Sequence, residues 1–174
     1  MHIRILLAAW LALAGIASAT TLQQLTVAEM IQKSTAIVRA KVVGSFGAKH
    51  NGTIYTYYRL QVSENLKSVT PAAADVAVPG GSLGRMHQSV AGAPELTVGA
   101  EYVLFLWTGK SGLTQIIGLS QGAFDLLLDS SGQPVLVRPA LSEHTVDGAG
   151  HTVTDRGMSL GLSDLRSRVQ GGSK

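Results

Sequence analysis

Between Val38 and Val62 two runs of alternating residues flank an Asn-Gly pair. Val38, Ala40 and Val42 alternate with Arg39 and Lys41. Lys49-His50-Asn51-Gly52 follows, and Asn and Gly are the residues that most readily take the positive φ of a tight hairpin turn. Beyond the turn, Ile54, Thr56, Tyr58, Leu60 and Val62 fall on one face, with Tyr55, Tyr57, Arg59 and Gln61 on the other. A period of two is the signature of a strand with one buried face. The segment predicts a long β-hairpin, and a chain organised around it is committed to antiparallel sheet.

Shorter runs repeat that pattern. Asp75 to Val78 reads as a strand ended by Pro79-Gly80-Gly81, Arg85 to Val90 as another, and Gly92 to Gly99 as a loop. Glu101 to Trp107 is apolar enough to form a central strand buried on both faces. Leu113 to Gly118, Ala123 to Leu128 and Val135 to Arg138 complete seven or eight strands, the count of an antiparallel barrel or sandwich. Thr26-Val27-Ala28-Glu29 spells a capping box, with Leu25 and Met30 placed for a hydrophobic staple, so a short helix is expected from about Thr26 to Ser34. Ser142 to Arg156 is polar and glycine-rich, an irregular excursion with one weak hairpin. A closing helix is expected near Ser159 to Val169, packed through Leu162, Leu165 and Val169, with Gly171 to Lys174 frayed.

The N-terminus carries an address. Met1 to Arg4 is a short basic start, Ile5 to Ile16 an apolar core, and Ala17-Ser18-Ala19 an A-x-A site. This predicts a signal peptide over residues 1–19, cleaved after Ala19, and a secreted or periplasmic protein. The apolar stretch is shorter than the roughly 20 residues a spanning helix needs, and no later segment suits a transmembrane helix. The sequence contains no cysteine, which excludes disulfides and a lipidated N-terminal cysteine. A small secreted animal domain would usually carry disulfides, so a bacterial envelope or secreted protein is expected. Without a twin-Arg pair, export proceeds unfolded and no cofactor is expected. Losing Arg4 with the leader leaves 13 Lys/Arg against 11 Asp/Glu, scattered along one domain spanning residues 20–174. Scattered charge does not form the basic patch of a nucleic-acid protein.

Several motifs invite a catalytic or ligand-binding reading. Gly118-Leu119-Ser120-Gln121-Gly122 matches G-x-S-x-G, but a nucleophile elbow joins a strand to a helix, whereas Ala123 onward reads as strand. A secreted serine hydrolase would use Ser120 with His144 or His151 and with Asp147 or Asp155. Gly109-Lys110-Ser111 ends like a P-loop but has Leu104 where the first glycine belongs. His144, Asp147, His151 and Asp155 offer zinc-type donors, yet their spacing matches no zinc signature, and no metal site is expected. The Asp129 to Gly132 turn lacks the alternating acids of a calcium loop. Asn51-Gly52-Thr53 is a glycosylation sequon that the turn already explains. Eight aromatics after the leader are few for the two girdles of an outer-membrane barrel. The remaining candidate is a surface. With odd residues paired to odd, Arg39, Lys41, Tyr55, Tyr57 and Arg59 share the hairpin's outer face, and aromatics beside cations suit glycans or acidic polymers.

The succession Ala36-Ile37-Val38-Arg39-Ala40-Lys41-Val42, a hairpin, Pro79-Gly80-Gly81, then Gly99-Ala100-Glu101-Tyr102-Val103-Leu104-Phe105-Leu106 resembles small exported bacterial proteins of unknown function, over about Ala36 to Phe124. Through two strands it is more distantly similar to netrin-like and metalloproteinase-inhibitor OB barrels. Those inhibitors ligate the protease metal through an N-terminal cysteine that this chain lacks, so their mechanism does not carry over. The resemblance implies an OB-like barrel and no particular activity. The expectation is therefore a mainly β protein, an antiparallel OB-like barrel or sandwich with a short helix near each end. Its expected function is non-catalytic binding of an extracytoplasmic protein or polysaccharide. The alternatives are the Ser120 hydrolase and a modulator of an exported protease.

Overall fold

Asn51 and Gly52 adopt φ of 49° and 84°, the left-handed pair that a two-residue hairpin turn requires. They join β2 (Ala36–His50) to β3 (Thr53–Lys67), which stay paired from His50↔Thr53 to Ile37↔Lys67. In this computed structural model the described residues are 21–68 and 75–171. The expected leader, residues 1–19, and the tail 172–174 lie outside them.

The ribbon is not regular. Its register shifts between Ile37 and Val38, between Arg39 and Ala40, and between Val42 and Gly44. The third shift leaves Val43 as an extra residue in β2. From there to the turn, even-numbered residues of β2 face the same way as odd-numbered residues of β3.

β7 (Glu101–Thr108) pairs with the base of β2, Ala36↔Leu106 to Lys41↔Glu101. Its other edge carries β8 (Thr114–Ile116) and β9 (Ala123–Leu128). β10 (Pro134–Arg138) and β13 (Met158–Gly161) extend the sheet beyond β9, and β4 (Asp75–Pro79) extends it beyond β3. The sheet is antiparallel and curls until β4 packs against β8. No backbone ladder joins those two strands, so no closed barrel forms among the described residues.

Curling separates two cores. Val38, Ala40 and Val42 meet Leu104, Leu106, Tyr58, Leu60 and Val78 inside the curl. Ile37, Val103 and Phe105 point outward and are covered by Met30 of α1 (Val27–Lys33) and by Leu162, Leu165 and Val169 of α2 (Leu162–Gly171). Tyr102 to Leu106 are thus all buried, as a strand sandwiched between two apolar layers must be.

The helices form where the sequence signals them, with two adjustments to the second. Thr26 Oγ1 accepts from the Glu29 amide at 3.2 Å and the Thr26 amide donates to Glu29 Oε2 at 2.8 Å, closing the capping box. α2 starts three residues later than expected, because Ser159 to Gly161 pair with β10 as part of β13 instead. It also runs through Gly171, where fraying was expected to begin. The strand expected within Arg85 to Val90 forms as β6 (Met86–Gln88), and an unexpected β5 (Gly81–Leu83) pairs with it in a hairpin that covers the inner face of the ribbon's tip. A Cβ on Gly47 would stand 2.2 Å from the Ser82 carbonyl oxygen, so glycine is what lets the two backbones meet. The polar excursion does hold a hairpin, β11 (His144–Val146) with β12 (Thr152–Val153), and β1 (Thr21–Gln23) joins it in parallel.

Candidate functional site

The ribbon's outer face divides into two neighbourhoods. At the base the face is charged and interlocked. Arg39 donates Nε and Nη2 to the two carboxylate oxygens of Glu101, at 2.8 and 3.0 Å. Arg166 of α2 makes the same bidentate contact with Glu64, both bonds 2.8 Å. Hydrogen bonding from Arg39 holds the Glu101 carboxyl below its usual range, and Arg166 does the same for Glu64. Arg39 is consequently a structural cation. Lys41 is exposed and sits opposite Glu101 and Gln61 in register.

At the tip the same face is aromatic and partly exposed. Phe46, opposite Tyr57 in register, stacks on it with centroids 5.2 Å apart and planes 9° apart. Tyr55 leans on Tyr57 at 6.3 Å, and His50 meets Tyr55 edge-on at 6.3 Å. The Arg59 guanidinium lies over Phe46, 5.9 Å from its centroid, while Nε reaches Asp75 Oδ1 of β4 at 3.3 Å. Phe46 is 45% exposed and the Arg59 side chain 60%. Of the five residues expected to share a surface, the structure brings Tyr55, Tyr57 and Arg59 together and leaves Arg39 tied up at the other end.

Phe46 and His50 join the ladder because of the bulge at Val43. Simple odd-with-odd pairing puts Phe46 on the buried face and hides it. The available signal is Val42-Val43-Gly44: a glycine inside a strand marks a bulge, and one bulge inverts every later side chain.

The G-x-S-x-G segment is a structural joint. Leu119–Gly122 is a single 3-10 turn leading into β9, with Gly118 at φ 61° and Leu119 at φ 59°. A Cβ on Gly122 would lie 2.6 Å from the Ile117 carbonyl oxygen. Gln121, 2% exposed, accepts from the Leu25 amide and donates to the Gln23 carbonyl, tying β1 and α1 to the sheet. Ser120 makes no hydrogen bond to a histidine. His144 Nε2 instead contacts Thr152 Oγ1 at 3.2 Å, and His151 Nδ1 contacts Asp147 Oδ2 at 3.2 Å. Asp147 Oδ1 is already occupied by the Ala149 and His151 amides of its own turn.

Asp155 is bound elsewhere too. Arg138 Nη1 and Nη2 donate to its two oxygens at 2.6 and 3.2 Å, and the two side chains are 3% and 1% exposed. Burial pushes the Asp155 carboxyl up, but the bonds from Arg138 and the Gly157 amide outweigh that and leave it below its usual value. His144, Asp147, His151 and Asp155 therefore do not converge, and no group of three or more His, Cys, Asp or Glu among the described residues could hold a metal. No described helix is long and apolar enough to cross a membrane. Neither a family model nor a curated protein matches the chain.

Proposed function

We propose that this chain is a non-catalytic binding domain, exported through the 1–19 leader, whose protein partner seats on the outer face of the β2–β3 tip. The curled sheet would serve as a partial OB-like barrel presenting that ribbon. The observation that carries the reading is the ladder of an exposed Phe46 with half-buried Tyr57 and Tyr55, and an exposed Arg59 across it. Tyr, Phe and Arg are enriched at protein interfaces, where they act as anchors. Rings already held against each other lose little freedom on binding, which lowers the entropic cost of docking.

Ring orientation favours a protein over a polysaccharide. A sugar stacks on a free aromatic face, but Phe46 has Tyr57 against it and Arg59 over it. What the tip offers a partner is ring edges, phenolic hydroxyls and a guanidinium. Those groups complement peptide carbonyls, carboxylates and apolar side chains.

The test is capture of partners from the extracytoplasmic fraction, run beside binding to isolated envelope polysaccharide. A saturable protein partner that is lost with Phe46→Ala, Tyr57→Ala and Arg59→Ala combined supports the proposal. Retention of every partner by that triple variant, or binding to polysaccharide alone, contradicts it.

A further inference from the structure

The seam where the sheet fails to close holds a cleft of about 550 Å³, within the roughly 300–1,000 Å³ range of small-molecule sites. Ala77 and Pro79 of β4 form one wall; Trp107, Ile116 and Leu119 form the other. Pro79 has no amide to donate, so β4 ends there as a ladder strand and the seam stays open. Trp107 is 47% exposed and lies across Gly109, where a Cβ would meet its ring at 2.9 Å. The indole is thus seated on backbone at the border of the cleft.

Polar groups in this lining are few, and one is a cation. Lys33, in the last turn of α1, borders the cleft with Gln115 as its amide companion. A lysine there would ordinarily serve the free carbonyls of its own helix end. Those of Ile31, Gln32 and Ser34 already accept from Lys67 Nζ of β3. Lys33 makes no hydrogen bond or close ion pair among the described residues. Its electrostatic neighbour is Glu29 one turn earlier, whose carboxylate is already bonded to Thr26, and Lys33 carries positive charge at the edge of an apolar trough.

We infer that the β4–β8 cleft binds a free fatty acid, its alkyl chain laid between Trp107 and Pro79 and its carboxylate paired with Lys33. An apolar trough with a single cation at its rim complements an amphiphile carrying one negative charge. A neutral alkyl chain gains only the burial, and a polyanion finds one cation. The cleft shares no residue with the tip ladder, so this inference stands or falls apart from the proposed function.

The experiment titrates the full chain, produced with its own leader, with decanoate while following tryptophan fluorescence. Trp107→Phe serves as the control that assigns the signal. The expected result is a saturable blue shift that vanishes in Trp107→Phe, with affinity falling ~tenfold in Lys33→Gln and for decanol in place of decanoate, the loss expected of one charge-assisted contact. Lys33 is exposed, so its replacement leaves the fold intact and the comparison clean. Absence of saturable decanoate binding overturns the inference. So does equal affinity for decanoate and decanol, or binding unchanged in Lys33→Gln. A response to phosphatidylglycerol vesicles without one to decanoate also overturns it, since the ligand would then be a membrane surface.

Discussion

At its base the β2–β3 ribbon is held from both sides, by β7 and by α2, and its outer charges are satisfied in pairs: Arg39 with Glu101, Glu64 with Arg166. At its tip, past the bulge at Val43, the same ribbon is braced on its inner face by the β5–β6 hairpin and only partly covered outside, where Phe46 and the half-buried Tyr55 and Tyr57 line up. One backbone thus serves two purposes. The contrast teaches that exposure of a charged or aromatic residue on a strand says little until its partners are known. Arg39 and Arg59 look alike in sequence, yet one closes a bidentate ion pair and the other lies across a ring beside a single carboxylate contact.

The widest gap between the two ends should appear on deleting a ring. Phe105 is fully buried between the sheet and the helices, 5.6 Å from Phe124. Phe105→Ala should cost about 3–5 kcal/mol by urea denaturation. Phe46→Ala should cost no more than about 1 kcal/mol, because its ring is half in water. Equal losses would erase the distinction between a structural base and a presenting tip.

A finer test isolates the ladder itself. A double-mutant cycle on Phe46 and Tyr57 should return a coupling of about 0.5–1.5 kcal/mol, the value of a stacked pair beyond its burial. A coupling near zero would mean that the rings are not pre-organised. The corresponding cycle on Arg39 and Glu101, side chains 31% and 34% exposed, should give less, about 1 kcal/mol at the very most and falling with salt.

Much of this was legible beforehand, and what was not has physical causes. The turn at Asn51-Gly52, the α1 capping box and the doubly buried β7 each follow from a local rule acting over a few residues. The aromatic tip was half visible. Tyr55, Tyr57 and Arg59 follow from alternation, while Phe46 depends on where an extra residue is accommodated, which β7 and β4 decide by their pairing with the ribbon. The parallel contact of β1 with β11 joins segments more than a hundred residues apart, and no periodicity encodes such a pairing. Arg138 and Asp155 were met separately, one at a strand end and the other in a polar loop. Only the fold makes them one buried pair.

The smallest effect concerns pH. The folded-state pKa values of Glu64 and Glu101 are depressed by Arg166 and Arg39. Their contribution is therefore complete above the unfolded carboxylate value of about 4.3 and is lost as pH falls through the lower folded values. Removing Arg39 and Arg166 together should flatten the acid limb of the stability curve, measured by thermal melting from neutral to acidic pH. The tip triple variant should leave that limb unchanged. An unchanged limb in the base variant would show that these ion pairs do not contribute.

The most direct measurement compares the two ends against one partner. With a protein ligand captured by the full chain, its dissociation constant would be measured for the tip triple variant Phe46→Ala, Tyr57→Ala, Arg59→Ala and for the base variant Arg39→Ala. The account predicts a loss of at least ~100-fold at the tip, as expected when hot-spot anchors are truncated, and an unchanged constant at the base. Unchanged binding by the tip variant, or an equal loss from both, would contradict it.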